Sequence, residues 1–206
     1  MTLRLQGTTG FTEVTAPAAA GNNTLTLPTS NGSANQYLAN GSTAGELTFV
    51  TPPGSFTSYA IICDKKTDST AGGTFTSGSW VGRELQTEIA DPDNIVSIAS
   101  DRFTLQAGSY LIQASAPAIE VNRHQTRLYD VTNSAVKQYG SNEYSSNAAG
   151  YAVTRSMLEA RVTITGATAY EIQHRCEDTV SGFGFGVNNN FGGESIYTIV
   201  SIFKEA

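Results

Sequence analysis

The chain has 206 residues, enough for one substantial core and a small second module. Lys and Arg number 12 against 18 Asp and Glu, a net charge of −6, which excludes the basic surplus that a nucleic-acid backbone demands. No apolar run approaches the ~18 residues of a membrane span, and the abundance of Gly, Ser, Thr and Asn favours turns and strands over helices.

The opening residues MTLRLQGTTG lack the apolar core of a signal peptide. The expectation is synthesis in a cytoplasm and release by another route, such as within a virus. Residues 1–57 hold only three charged side chains: Arg4, Glu13 and Glu46. Short alternations at residues 24–27 and 46–50 are separated by Pro28, Asn31-Gly32, Asn40-Gly41 and Gly45, residues that favour turns. Three Asn-x-Ser/Thr triplets begin at Asn22, Asn31 and Asn40. Without a secretory signal they read as turn residues. So thin a segment buries little surface alone. It is either a flexible linker or packed against copies of itself.

Residues 10–38 read GFTEVTAPAAAGNNTLTLPTSNGSANQYL. This stretch closely resembles a module that recurs in bacteriophage tail fibres, just upstream of a globular tip. The resemblance implies extended β structure intertwined among three chains, contact with other virion proteins through residues 1–57, and a place in the virion. The segment Thr51-Pro52-Pro53-Gly54-Ser55 is the clearest boundary, stiffened by two prolines and turned by glycine. It divides an N-terminal fibre-shaft module, 1–57, from a C-terminal domain, 58–206.

In that domain residues 58–63 are apolar on both faces, as expected of a strand covered on both sides. Residues 64–79 read as a polar loop. Residues 80–89 and 95–98 are shorter strands around the turn Asp91-Pro92-Asp93-Asn94. Residues 102–121 (RFTLQAGSYLIQASAPAIEV) read as strand, tight turn, strand. Tyr110, Ile112, Ala114, Ala116 and Ala118 share one face, and their small size implies close approach by another sheet or subunit. A hairpin is expected at residues 126–139 around Thr132-Asn133-Ser134, followed by a polar loop at 140–150. Residues 151–165 form a long strand with Leu158, Ala160, Val162 and Ile164 inward. Residues 170–176 alternate as sharply, and GFGFGV at 182–187 interleaves glycine with aromatics on a packed strand. The last strand, 197–203, is again apolar on both faces.

About nine strands with turns between them predict an all-β sandwich. The pattern F-x-L-x-A-G-x-Y-x-I in 103–112 resembles the centre of the trimeric jelly rolls related to tumour necrosis factor and the globular head of complement. That resemblance implies a homotrimer in which the first and last strands lie side by side at the three-fold axis. The strands apolar on both faces are those two, independently of any assumed trimer. Tyr59, Ile61, Tyr197, Ile199 and Phe203 are therefore the expected trimer-interface residues.

No catalytic constellation stands out. His124 and His174 are the only histidines, and His174 shares the apolar face of its strand, so a core or interface role is favoured over a ligand role. Asp91 and Asp93 suggest a turn rather than a calcium site. Gly182-x-Gly184-x-Gly186 lacks the spacing of a phosphate loop, and adjacent Glu177 and Asp178 point to opposite faces of any strand. The reading is no enzyme, no metal and no cofactor.

In the resembled topology the strand of Cys63 lies beside the last strand, then 110–121, then 170–176. That order puts the cysteines about three strand spacings, ~14 Å, apart, too far for a disulfide. The same order gathers loops 64–79, 122–125, 166–168 and 188–194 at one end, the apex. Lys65, Lys66, Arg123, His124, Asn188, Asn189, Asn190 and Phe191 are accordingly the expected receptor-binding residues, suited to a host-surface glycan or protein. The competing reading is a capsid or baseplate cement protein that binds no receptor.

Overall fold

The computed structural model describes residues 3–6, 11–14, 24–34, 36–52, 56–148 and 152–206. Residues 15–23 of the fibre-like stretch, Pro53-Gly54-Ser55 of the expected boundary, and Gly150 and Tyr151 lie outside them. Two compact units divide the chain, Met1–Pro53 and Gly54–Ala206.

In the first unit β1 (Leu3–Gln6) pairs antiparallel with β2 (Phe11–Val14). β3 (Tyr37–Asn40) pairs antiparallel with β4 (Leu47–Val50). Residues 24–27, expected as a strand, make one parallel bridge, Thr26 to Glu46. Leu25 and Leu27 stay 64% and 66% exposed. The alternation is present, but these side chains find no interior among the described residues of the unit.

The second unit contains β5 (Phe56–Thr67), β6 (Val81–Gly82), β7 (Thr87–Ala90), β8 (Val96–Ala99), β9 (Arg102–Leu105), β10 (Gly108–Ile119), β11 (Asn122–Asp130), β12 (Ala135–Ser145), β13 (Val153–Ile164), β14 (Thr168–Cys176) and β15 (Glu194–Glu205). One sheet has the order β13-β10-β15-β5-β7, and the other β12-β11-β14-β9-β8 with β6 against β14. Every pairing between these strands is antiparallel. This order, with the chain alternating between two facing sheets, is an all-β jelly roll.

Period two builds its core. On β10 the predicted inner face, Tyr110, Ile112, Ala114, Ala116 and Ala118, is buried throughout. The alanines leave room for the opposite sheet, which contributes Phe103, Leu105, Leu128, Tyr170 and Ile172. β13 turns Leu158, Ala160 and Val162 inward as expected. Each fully buried Leu, Ile or Phe contributes about 1.5–3 kcal/mol relative to exposure. Asp91 closes the β7–β8 turn by accepting hydrogen bonds from the amides of Ile95 (2.8 Å) and Val96 (2.9 Å), the role expected of a turn residue.

Several expectations are corrected. β9 and β10 both form, but they are no hairpin: β9 pairs with β8 and β14, and β10 with β13 and β15. The link between them passes the chain from one sheet to the other. Alternation marks the buried face of each strand and does not distinguish a neighbour from an opposite strand. β14 for the same reason lies in the second sheet, between β11 and β9, not beside β10. β5 extends into the expected loop as far as Thr67, because its polar tail pairs with β15 (Thr67 with Glu194, Lys66 with Ser195). β12 likewise runs to Ser145 along β11, past an irregularity near Gln125. Residues 182–187 form a turn. Gly186 has φ +132° there, and a Cβ on it would lie 2.6 Å from the Tyr197 ring, so backbone and ring approach too closely for any side chain.

Cys63 and Cys176 are free and buried. They stand in opposite sheets, which corrects the expected spacing along one sheet. Burial raises both thiols, Cys176 to about 11.

A fully buried arginine crosses the sandwich. Arg83 donates from Nε to Thr198 Oγ1 (2.8 Å), from Nη1 to the Pro117 carbonyl (3.3 Å) and from Nη2 to the Phe185 carbonyl (3.1 Å). Its guanidinium lies 3.9 Å from the Phe185 ring centroid. Desolvation lowers its pKa to about 9, and the nearby buried Asp64 partly offsets this. Asp64 in turn has the Lys66 ammonium at 3.2 Å, without hydrogen-bond geometry. Arg83→Leu strands two carbonyls and removes a positive charge near Asp64, so chemical denaturation should show a loss of about 3–5 kcal/mol. The double variant Arg83→Leu/Asp64→Leu should lose less than the two single changes added together.

Candidate binding face on the second sheet

On β11 the even positions from His124 to Asp130 are buried, so Arg123, Gln125, Arg127 and Tyr129 face outward. β14 presents Glu171, Gln173 and Arg175 on the same surface. These residues interlock. Arg102 donates to Glu171 (2.8 Å), and Arg127 Nε donates to Gln173 Oε1 (2.8 Å). Trp80, just before β6, lies over Arg127 with the guanidinium 4.2 Å from its ring centroid. The Tyr129 ring is 5.0 Å from the same guanidinium, and the Tyr139 ring is 5.9 Å from Trp80.

Beside Trp80 a cavity of about 610 Å³ opens, lined among others by Ser77, Arg123, Asn142, Glu143, Arg175 and Glu177. Arg123 Nη1 donates to both Glu177 oxygens, at 2.8 and 3.0 Å. Glu143 accepts from the Ser141 hydroxyl at 2.8 Å. Arg175 is exposed, and its side chain has no hydrogen bond or ion pair among the described residues.

The eight expected receptor residues fall into separate places. Lys65 pairs with Glu194 (2.7 Å). Asn188, Asn189, Asn190 and Phe191 form the loop entering β15. Asn189 Nδ2 donates to the Glu194 carbonyl (2.8 Å), and the Gly192 amide donates to Asp68 (2.9 Å). Phe191 is 91% exposed. Lys66 pairs with Asp64 and Glu84. Arg123 lies on the second sheet, with no hydrogen bond or ion pair to the loop among the described residues. The loop 166–168 precedes β14 beside Asp130 and Thr132, at the end opposite the 188–194 loop. Placing β14 in the wrong sheet had reversed its direction.

His124 is buried, although it forms part of the wall of the cavity beside Trp80. Its Nδ1 is 2.9 Å from His174 Nε2 and its Nε2 is 2.7 Å from Thr154 Oγ1. The Phe75 ring packs 4.7 Å from His174. Desolvation holds His124 at about 4 and His174 well below its ordinary value, so the pair is neutral at pH 7.

The expected interface residues divide as well. Tyr59, Ile61, Ile199 and Phe203 lie on the outer face of the first sheet. In register across it, Leu111, Phe203 and Tyr59 are cross-strand neighbours, as are Gln113, Ser201 and Ile61. Tyr197 is inside instead, 2% exposed, its hydroxyl donating to the Thr70 carbonyl at 2.7 Å. A register shift between Ile196 and Ile199 turns both Tyr197 and Thr198 inward, which simple alternation misses. Arg127 escaped the sequence reading for a related reason. Starting the strand at residue 126 hid the Arg123-x-Gln125-x-Arg127-x-Tyr129 face.

The histidine pair sets a pH dependence. Both folded pKa values lie below the unfolded value near 6.5, so unfolding takes up protons as pH falls. Stability is fully present above pH 6.5 and is lost toward the folded values; for His124 alone the complete loss is about 3 kcal/mol. Denaturation between pH 6.5 and 5 should show a slope approaching two protons, and His124→Gln should reduce it toward one.

No protein-family model and no curated protein matches the chain. Solved structures are similar to it. The globular domain of zebrafish complement 1qA protein covers 71% of this chain and 96% of its own, at 11% identity and a TM-score of 0.48. Murine APRIL at pH 5.0 covers 71% of this chain and 98% of its own, at 8% identity and a TM-score of 0.47. The jelly-roll assignment stands on the strand order.

Proposed function

We propose that this chain is a homotrimeric bacteriophage virion protein, a tail fibre whose jelly-roll tip binds a host-surface receptor, foremost a glycan. The observation that carries this reading is the contrast between the two outer faces of the sandwich. The first sheet presents Tyr59, Ile61, Leu111, Ile199 and Phe203, with the Phe56 ring 5.1 Å from Phe203. The second presents arginines, amides and the Trp80 groove. An apolar sheet face that size is an aggregation hazard unless covered, and a closed three-fold arrangement covers it with copies of itself. The polar face is left for a ligand.

Residues 1–57 continue or attach the fibre and contact other virion proteins. Exposed Leu25, Leu27, Tyr37 and Leu38 support this, since thin strands gain stability when copies cover their edges and side chains. The fibre-like sequence of residues 10–38 points the same way.

Light scattering at micromolar concentration should give a trimer, with a total interface of roughly 2,000 Å² or more. Phe203→Asp should break it into monomers or aggregates. Trp80→Ala should leave the trimer intact and reduce adsorption to host cells by about tenfold or more. Alanine at Asn189 and Phe191 together tests whether the 188–194 loop contributes. Intact adsorption by both trimeric variants would overturn the receptor-binding tip and favour a capsid or baseplate cement protein.

A further inference from the structure

We propose that the Trp80 groove selects an anionic saccharide, with Arg175 receiving the ligand's carboxylate or phosphate. This rests on the receptor-binding reading and names the class of receptor. The chain carries a net charge of −6, yet the groove lining balances two arginines, 123 and 175, against two glutamates, 143 and 177, and a third arginine, Arg127, lies against Trp80. Glu177 is committed to Arg123 by two contacts. Arg127 is held by Gln173 and the Trp80 and Tyr129 rings, with no carboxylate partner among the described residues. The Arg175 side chain has no hydrogen bond or ion pair among them.

A guanidinium offers five N–H donors in a planar fork that matches carboxylate and phosphate geometry. Arg175 keeps all five for a ligand at the cavity wall. A solvated surface arginine costs nothing by being free, but this one lines a concave site of about 610 Å³, within the ordinary range for small ligands. The Trp80 ring, with Tyr139 beside it, supplies a flat apolar platform. Gln125 and Asn142 line the same cavity with amides. Flat aromatic, amides and one free cation match a sugar's ring face, its hydroxyls and one acidic substituent. An acidic peptide would use the cation but leaves the platform and amides without a defined partner.

Trp80 is the only tryptophan of the chain, so its emission reports directly on the groove. The full-length protein is titrated with trigalacturonate, its methyl ester, mannose 6-phosphate, mannose and hexaglutamate. The expected result is an emission change with at least one anionic sugar, at least about tenfold weaker binding of its neutral match, and weakening by added salt. Preference for trigalacturonate or for mannose 6-phosphate identifies the acidic group as carboxylate or phosphate. Arg175→Ala should reduce affinity by about tenfold while Arg175→Lys retains part of it, both variants remaining trimeric by light scattering. Equal binding of the neutral matches, or wild-type affinity in Arg175→Ala, overturns the anionic preference and leaves the glycan receptor standing. Binding of hexaglutamate as tight as that of the sugars overturns the saccharide. Absence of any saccharide response, with host adsorption indifferent to Trp80→Ala, overturns both.

Discussion

A sandwich of two sheets has four faces, and its own core covers only two. The rest of this structure depends on what happens to the other two. Because side chains alternate strictly along a strand, every residue that fills the core commits its neighbours to an outer surface. On the first sheet those neighbours are Tyr59, Ile61, Leu111 and Phe203; on the second they are Arg123, Arg127, Gln173 and Arg175. The same periodic rule thus yields one surface poorly suited to water and one suited to it.

The interior is less uniform than that alternation suggests. Arg83, Asp64, His124 and His174 are all buried, where burying a polar group costs free energy unless it is partnered. Arg83 meets this with three hydrogen bonds and an aromatic face. The histidines meet it only in part: His174 Nδ1 has no hydrogen-bond partner among the described residues, but the two rings remain neutral and bond one another. Ser156 and Thr126 do the same where β11 approaches β13, at 2.8 Å. These interlocking polar contacts fix register between the sheets more tightly than methyl groups can, since hydrogen bonds depend on direction as well as distance.

Much of the fold was legible in the sequence. The long strands β10, β13, β14 and β15 announced themselves by period two, and so did their buried faces. Sheet membership was not legible: nothing in residues 102–119 says that the chain changes sheets at residues 106–107. Strand ends were misread where polar residues continue a ladder, as at Lys65 and Lys66, because alternation detects burial and not hydrogen bonding. The outer face of the second sheet was the least legible part. Trp80 comes from a segment with little regular structure, and only the fold brings it over Arg127. Tyr197 failed for a local reason, a bulge that no periodic pattern encodes.

The pairing of β5 with β15 has a kinetic meaning. These are the first and last strands of the domain, yet they are neighbours at the middle of one sheet, with Tyr59 opposite Phe203. The middle of that sheet cannot close until β15 has been synthesised. Such distant pairings make folding slow, because the chain loses loop entropy before the contacts repay it. Until then β5 and β10 each lack the partner that separates them, and their ladder edges remain open to other chains. The apolar outer face of that sheet, which includes Phe203 itself, is therefore completed last, so it forms only as the fold is finished.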